Sequence, residues 1–134
     1  MNKLICEIID EFKTAPSRIE KINTLRRYDS SSLRKFFEVL YGSCKFDTPI
    51  PNYKPAPEPI GLNWTYLVNE LNKLDRFMET SNLPVEKKVS LLTVILESLY
   101  KDEAELLVGL LKKDLGIKYL TPKIVKEAFD GINI

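Results

Sequence analysis

Apolar residues recur every three or four positions along most of the chain, and this spacing predicts one helix after another. Leu4, Ile5, Ile8, Ile9 and Phe12 form a stripe opposite Glu7, Asp10, Glu11 and Lys13, giving a first helix over residues 3–14. Pro16 suits the first turn of a second helix, where no backbone N–H is needed. Ile19, Ile22 and Leu25 then make a narrow stripe among charged residues, stopping near Tyr28. Asp29 and the three serines after it are cap candidates for a third helix, whose Leu33, Phe36, Phe37, Leu40 and Tyr41 present a wide aromatic face up to Gly42.

The periodicity fails over residues 43–62. Pro49, Pro51, Pro55, Pro57 and Pro59 can neither continue a helix nor sit in a central strand, so the segment reads as an extended crossover. Alternating prolines also suit a polyproline II ligand, but Ile50, Tyr53 and Ile60 favour a loop packed on the body. Asn63 is placed to cap a fourth helix carrying Trp64, Leu67, Val68, Leu71, Leu74, Phe77 and Met78. A fifth, from Val85 to Leu99, is apolar nearly all round in its second half and is expected to be central. Asp102 or a neighbour opens a sixth, with Leu106, Leu107, Leu110, Leu111 and Leu115 on its stripe and Gly116 at its end. Thr121-Pro122 then reads as an N-cap followed by proline at the first helical position, opening a short seventh helix that runs through Phe129 to Gly131. The expected fold is all-α: a single compact bundle of about seven helices over residues 1–134, with the crossover between helices 3 and 4.

Composition narrows the chemistry. The chain has 134 residues, enough for one core, and no histidine, which removes the usual general base, the Ser-His and Cys-His pairs and imidazole zinc sites. Two cysteines, Cys6 and Cys44, do not make a disulfide scaffold and read as small core residues of a cytoplasmic protein. The start of the chain lacks the basic-then-apolar build of a secretory signal, and no apolar run is long enough to span a membrane. With 20 basic and 19 acidic residues the formal charge is +1, so any attraction to a polyanion must come from local segregation.

Carboxylates are densest at Asp102, Glu103 and Glu105, but these fall in the first turn of a helix, where negative charge complements the dipole. No metal site, no glycine-rich phosphate loop and no cofactor is expected. The segment from Leu110 to Phe129 is different: it carries Lys112, Lys113, Lys118, Lys123 and Lys126 against Asp114 and Glu127. Here Lys112 and Lys113 close one helix while Thr121 opens the next with free backbone N–H groups, an arrangement suited to phosphate. A solvated basic face is the competing reading of the same residues.

Three stretches carry a family resemblance: the two-helix start, the Leu33-Arg-Lys-Phe-Phe-Glu-Val-Leu-Tyr41 helix before a proline-containing crossover, and the closing Leu-Leu-Lys-Lys-Asp-Leu-Gly-Ile-Lys…Ile-Val-Lys-Glu-Ala-Phe segment. Together they resemble the N-terminal DNA-binding domain of ATP-dependent DNA ligases of the T-even phage type. The resemblance implies an all-helical domain that grips duplex DNA near a nick, with Lys112, Lys113, Gly116, Lys118, Thr121 and Lys123 at the matching turn. Lysines would meet phosphates, and Gly116 and Thr121 would let the backbone approach. The pattern departs at Lys45-Phe-Asp-Thr-Pro-Ile-Pro, which keeps one lysine and adds Asp47, a change expected to weaken DNA affinity. It departs again at Asp130-Gly131, where Ala128 stands at the position of the adenylylated lysine.

These readings predict a non-catalytic accessory protein of phage DNA replication or repair, binding duplex DNA without sequence preference in the host cytoplasm. The alternative is a protein-interaction adaptor in which the same helical body docks a phage or host protein through Tyr53, Ile60, Trp64 or the Ile132-Asn133-Ile134 tail.

Overall fold

A computed structural model of the chain describes residues 3–134. Its helices are α1 (Ile5–Thr14), α2 (Arg18–Arg27), α3 (Ser31–Tyr41), α4 (Leu67–Glu70, continuing as a 3-10 helix over Leu71–Phe77), α5 (Val85–Ser98), α6 (Lys101–Lys112) and α7 (Pro122–Ala128). Among the described residues there is no sheet; Phe46 and Met78 make a single antiparallel bridge. The protein is an all-α bundle.

Local chemistry sets several helix starts, those of α3 and α7 as the sequence predicts; α2 starts later than expected, with Pro16 outside it and Ser17 as its cap. Ser17, Ser30 and Thr121 each accept an amide hydrogen from the residue three positions on, at the beginnings of α2, α3 and α7. Glu7 accepts the Leu4 amide at 2.9 Å and so closes the first turn of α1.

The core is one continuous cluster. Phe12, Phe36, Phe37, Phe77 and Phe129 are fully buried, and Phe37 packs edge-on to Phe36 and tilted against Phe129, which pins α7 to α3. The central element is α6, which packs against α1, α3, α4 and α5. Helix α5, expected at the centre, buries one face through Lys88, Leu92, Ile95 and Leu96 and leaves Val85 and Val94 in solvent. Its apolar second half overstates its burial because the opposite face has no helix on it.

Helix 4 also departs from expectation. Trp64 lies outside it and is 84% exposed, while Asn63 turns back to donate to the carbonyl of Glu58 at 3.2 Å instead of capping. The helix begins at Leu67, whose amide is taken by Glu103 Oε1 at 3.1 Å from α6. After one α-turn it tightens to 3-10 because Leu71, Leu74 and Phe77 are spaced by three, and three residues per turn put all of them on the buried face. Glu103, read from the sequence as a first-turn acid complementing the helix dipole, is a fully buried anchor, and burial raises its pKa.

The proline-rich crossover is strapped to the body. Asp47 N–H and Thr48 Oγ1 donate to the carbonyl of Phe77, Ala56 N–H to that of Leu99, and Thr65 N–H to that of Ser98. Ile50 and Tyr53 pack against the core as the sequence suggests, whereas Ile60 is exposed. Of the two cysteines, Cys6 is buried and its thiol is pushed up to about 12 by that burial; Cys44 is half-buried. No helix of the described residues is long and apolar enough to cross a membrane.

Candidate nucleic-acid interface

The turn between α6 and α7 is built differently from its sequence pattern. Helix α6 ends at Lys113, in the left-handed region at φ 59°, with Lys113 N–H bonded to the carbonyl of Leu110 and Asp114 N–H to that of Gly109. This is the Schellman geometry, usually closed by glycine. Lys113 holds it because its side chain crosses to the end of α3, where its ammonium donates to the carbonyls of Val39 and Gly42, the latter at 3.1 Å, and lies 3.4 Å from Cys44 Sγ. Its donors cap α3, so Lys113 leaves the set of lysines facing outward.

Gly116 follows in the loop rather than at the helix end. Its φ of +68° favours glycine, and open space surrounds the position a Cβ would take. Its amide is already bonded to Asp114 Oδ1 at 2.9 Å, so it is not offered to an anion. Thr121 Oγ1 takes the Ile124 amide, Thr121 O takes that of Val125, and Pro122 has none. The expectation of several free amides at this corner is thus corrected: in the first turn of α7 capping uses those of Ile124 and Val125, and the amide of Lys123 is left without a partner among the described residues. Among the sequence-derived residues, Lys112, Lys118 and Lys123 remain exposed.

Packing adds what the sequence did not join. Helices α2 and α7 lie against each other, tied by Arg18 to the carboxylate of Glu127 and by Arg26 to its backbone carbonyl at 2.8 Å. The hydrogen bond from Arg18 holds the Glu127 carboxyl below its usual range. Between the start of α2 and the α6–α7 turn runs a cleft of about 530 Å³. Pro16, Ser17, Arg18 and Lys21 line one side; Tyr119, Thr121, Lys123 and Ile124 line the other.

Three of those eight residues are cationic and none is acidic. The contrast with the rest of the surface is sharp, because the four other clefts described each contain carboxylates: Glu38 in one, Glu11 and Glu20 in another, Glu7 and Asp29 in a third, and Asp10, Asp102 and Glu105 in the fourth. The Glu127 carboxylate lies just outside this lining and is paired with Arg18, so the cleft's exposed positive charge without a salt-bridge partner among the described residues is that of Lys123, with Lys118 beside it.

Lys21 is buried in the cleft wall, its ammonium donating to the carbonyls of Phe12 at 2.8 Å and Lys13 at 3.3 Å at the end of α1. Tyr119 projects at the mouth. Its ring has Lys118 Nζ at 5.2 Å and Lys21 Nζ at 5.9 Å from the centroid, both within cation–π range. Arg18, Lys21 and Tyr119 do not stand out in the sequence. The signals available are weak: an arginine just after a helix cap, and an aromatic between Lys118 and Leu120.

Asp47, read from the sequence as a charge opposing DNA, is bonded to the buried Lys88 ammonium at 2.8 Å. Among the described residues no group of three or more metal-ligating side chains converges. Residues 8–117 match the pattern of a family described as a family of unknown function (DUF6433). No curated protein and no solved structure matches the chain.

Proposed function

We propose that this chain, which belongs to the family of unknown function DUF6433, holds duplex DNA by its phosphates, without reading sequence, on the face around the α2–α7 cleft. The observation that carries the reading is the cleft itself, whose lining holds Arg18, Lys21 and Lys123 and no carboxylate; Arg18 is paired with Glu127 behind it and Lys21 with carbonyls of α1, which leaves Lys123 as its open cation. Lys118 stands beside it over Tyr119, and Lys112 extends the exposed basic surface along the end of α6. The grip is that of side-chain ammonium and guanidinium groups; Gly116 and Thr121 shape the turn that presents them. Such pairings release counterions from DNA and supply affinity with little sequence information. The resemblance of the closing helix pair to a ligase DNA-binding domain supports the same ligand, in a non-catalytic role.

The experiment is fluorescence anisotropy of a labelled blunt duplex titrated at several salt concentrations. Affinity should fall steeply as salt rises, and Lys118→Ala with Lys123→Ala should flatten the log–log slope by roughly one for each phosphate no longer neutralised. Absence of binding at low salt, or a slope unchanged in the double variant, overturns the reading.

A second reading, the protein adaptor, draws on one feature. Trp64 and Leu62 stand 84% and 71% exposed on the crossover, and aromatic side chains presented this way often anchor protein partners. Tyr53, Ile132 and Ile134 pack against the core and do not add to that surface. Under this reading Trp64→Ala abolishes association with a protein partner and leaves duplex binding unchanged.

A further inference from the structure

A surface that only neutralises phosphates needs no pocket and no aromatic. This one has both. The α2–α7 cleft has a floor of Pro16, Ile124 and the hydrocarbon stem of Lys21, and its volume of about 530 Å³ falls in the range of small-molecule sites, ample for a nucleobase. Tyr119 stands at its mouth, 63% exposed, on a backbone with φ of +69°. Bulky residues rarely adopt that conformation, and glycine or asparagine ordinarily fills it. A large apolar ring is thus kept in solvent, at a backbone position ill suited to it, beside a cleft bordered by Lys118, Lys123 and Arg18.

From this juxtaposition we infer that the cleft receives an unpaired nucleotide leaving a duplex, so that the preferred ligand is DNA with an overhang, gap or extruded base rather than an intact helix. The inference rests on the phosphate-binding reading above and names the form of DNA it would take. The base lies on Tyr119 over the apolar floor; Lys123 at the rim meets a flanking phosphate, while Arg18 stays paired with Glu127. Lys118, exposed and long, swings from the ring to the backbone of the strand as the base takes its place. Lys21 stays fixed by its two carbonyl acceptors and leaves one ammonium N–H without a protein acceptor among the described residues, a donor for a base carbonyl. Stacking on an aromatic is tolerant of sequence, which suits a site with few directional polar groups.

An acidic peptide would share the charge but not the flat aromatic partner, and its side chains do not stack. The two ligands are therefore separable by experiment.

Three labelled probes of one duplex sequence are compared on the full chain: blunt, with a three-thymidine overhang, and with an abasic overhang of the same length and charge. The thymidine overhang should bind about tenfold tighter than the abasic one, the gain expected from one or two stacked bases. Tyr119→Ala should erase that margin and Tyr119→Phe should keep it. Tyr119→Gly, which fits the left-handed backbone, should erase it without loss of thermal stability, so misfolding cannot mimic the result. Equal binding of the two overhangs, a margin that survives Tyr119→Ala, or displacement of the thymidine probe by oligoglutamate of equal charge overturns the inference. If the blunt duplex binds in a salt-dependent way but the overhangs are equal, the base pocket fails and the phosphate grip stands. If the thymidine overhang alone binds, the phosphate grip on duplex fails and the base pocket stands. If no probe binds, both fail.

Discussion

Lys88 Nζ lies 2.8 Å from Asp47 Oδ1 and 3.0 Å from the carbonyl of Met78, with its side chain only 2% exposed. One ammonium thereby joins α5 to the crossover and to the end of the 3-10 segment. Removing a single partner of a fully buried pair costs about 3–5 kcal/mol, but Asp47 is 42% exposed and water screens it. Asp47→Ala should therefore destabilise by on the order of 2 kcal/mol in urea unfolding. Lys88→Met, which removes the charge and keeps the volume, should be close to neutral.

Lys113 and Lys123 stand on either side of the same turn and should separate cleanly. Lys113→Met removes the cap on the α3 carbonyls and should cost about 1–2 kcal/mol in thermal or urea unfolding, with no change in the salt slope of duplex binding. Lys123→Ala, exposed at the cleft rim, should leave stability within about 0.5 kcal/mol and weaken binding. Reversal of this pattern would mean that DNA meets Lys113 and not Lys123.

Gly109 sits inside α6, where alanine ordinarily stabilises by about 1 kcal/mol. Here the chain folds back over it. A Cβ at this position would meet Leu115 Cδ2 at 2.7 Å and the carbonyl oxygen of Asp114 at 3.2 Å. Gly109→Ala should instead lower the melting temperature, with a net cost of about 1–2 kcal/mol from displacing the turn.

Glu103 gives a pH signature of opposite sign to the surface acids. Burial raises its pKa above the ordinary 4.5, although the Leu67 amide and those of Cys6 and Ile5 pull it down. The folded protein keeps the proton where the unfolded chain has lost it. Its contribution to stability is thus complete below about pH 4.5 and declines as pH rises through the raised folded value. Asp29 and Glu127, lowered by Arg34 and Arg18, act the other way: their contribution is present above the ordinary carboxylate range and is lost as pH falls. Urea unfolding of wild type and Glu103→Gln at pH 4, 5, 6 and 7 cancels the contributions they share. The difference should move in favour of the glutamine variant as pH rises, and a difference independent of pH would contradict the assignment.

Much of the fold is legible in the sequence because it is local. The pairs Ser17 with Glu20, Ser30 with Leu33 and Thr121 with Ile124 are three residues apart, so a serine or threonine before an apolar stripe carries its own acceptor. Where the fold departs from the pattern, the cause is distant. Ile19 continues the α2 stripe yet is exposed, while Lys21 and Thr24 beside it are buried, because the end of α1 packs on their side of α2, a direction that the stripe does not encode. Trp64 fits the period of helix 4, but Glu103 takes the Leu67 amide and starts the helix one turn later.

The candidate site divides in the same way. Its basic turn can be found in the sequence, since Lys118, Thr121 and Lys123 lie close along the chain. Its opposite wall cannot, since Arg18 and Lys21 are about a hundred positions away.

By itself, then, the sequence determined the all-helical class, the caps of α3 and α7 and the basic character of the closing segment, because periodicity and capping act over a few residues. Tertiary structure alone decided which lysines face outward. A lysine's own chemistry is the same whether its ammonium meets water or a distant carbonyl. Packing turned Lys21, Lys88 and Lys113 to the carbonyls of Phe12, Met78 and Gly42, and left Lys118 and Lys123 beside an open cleft.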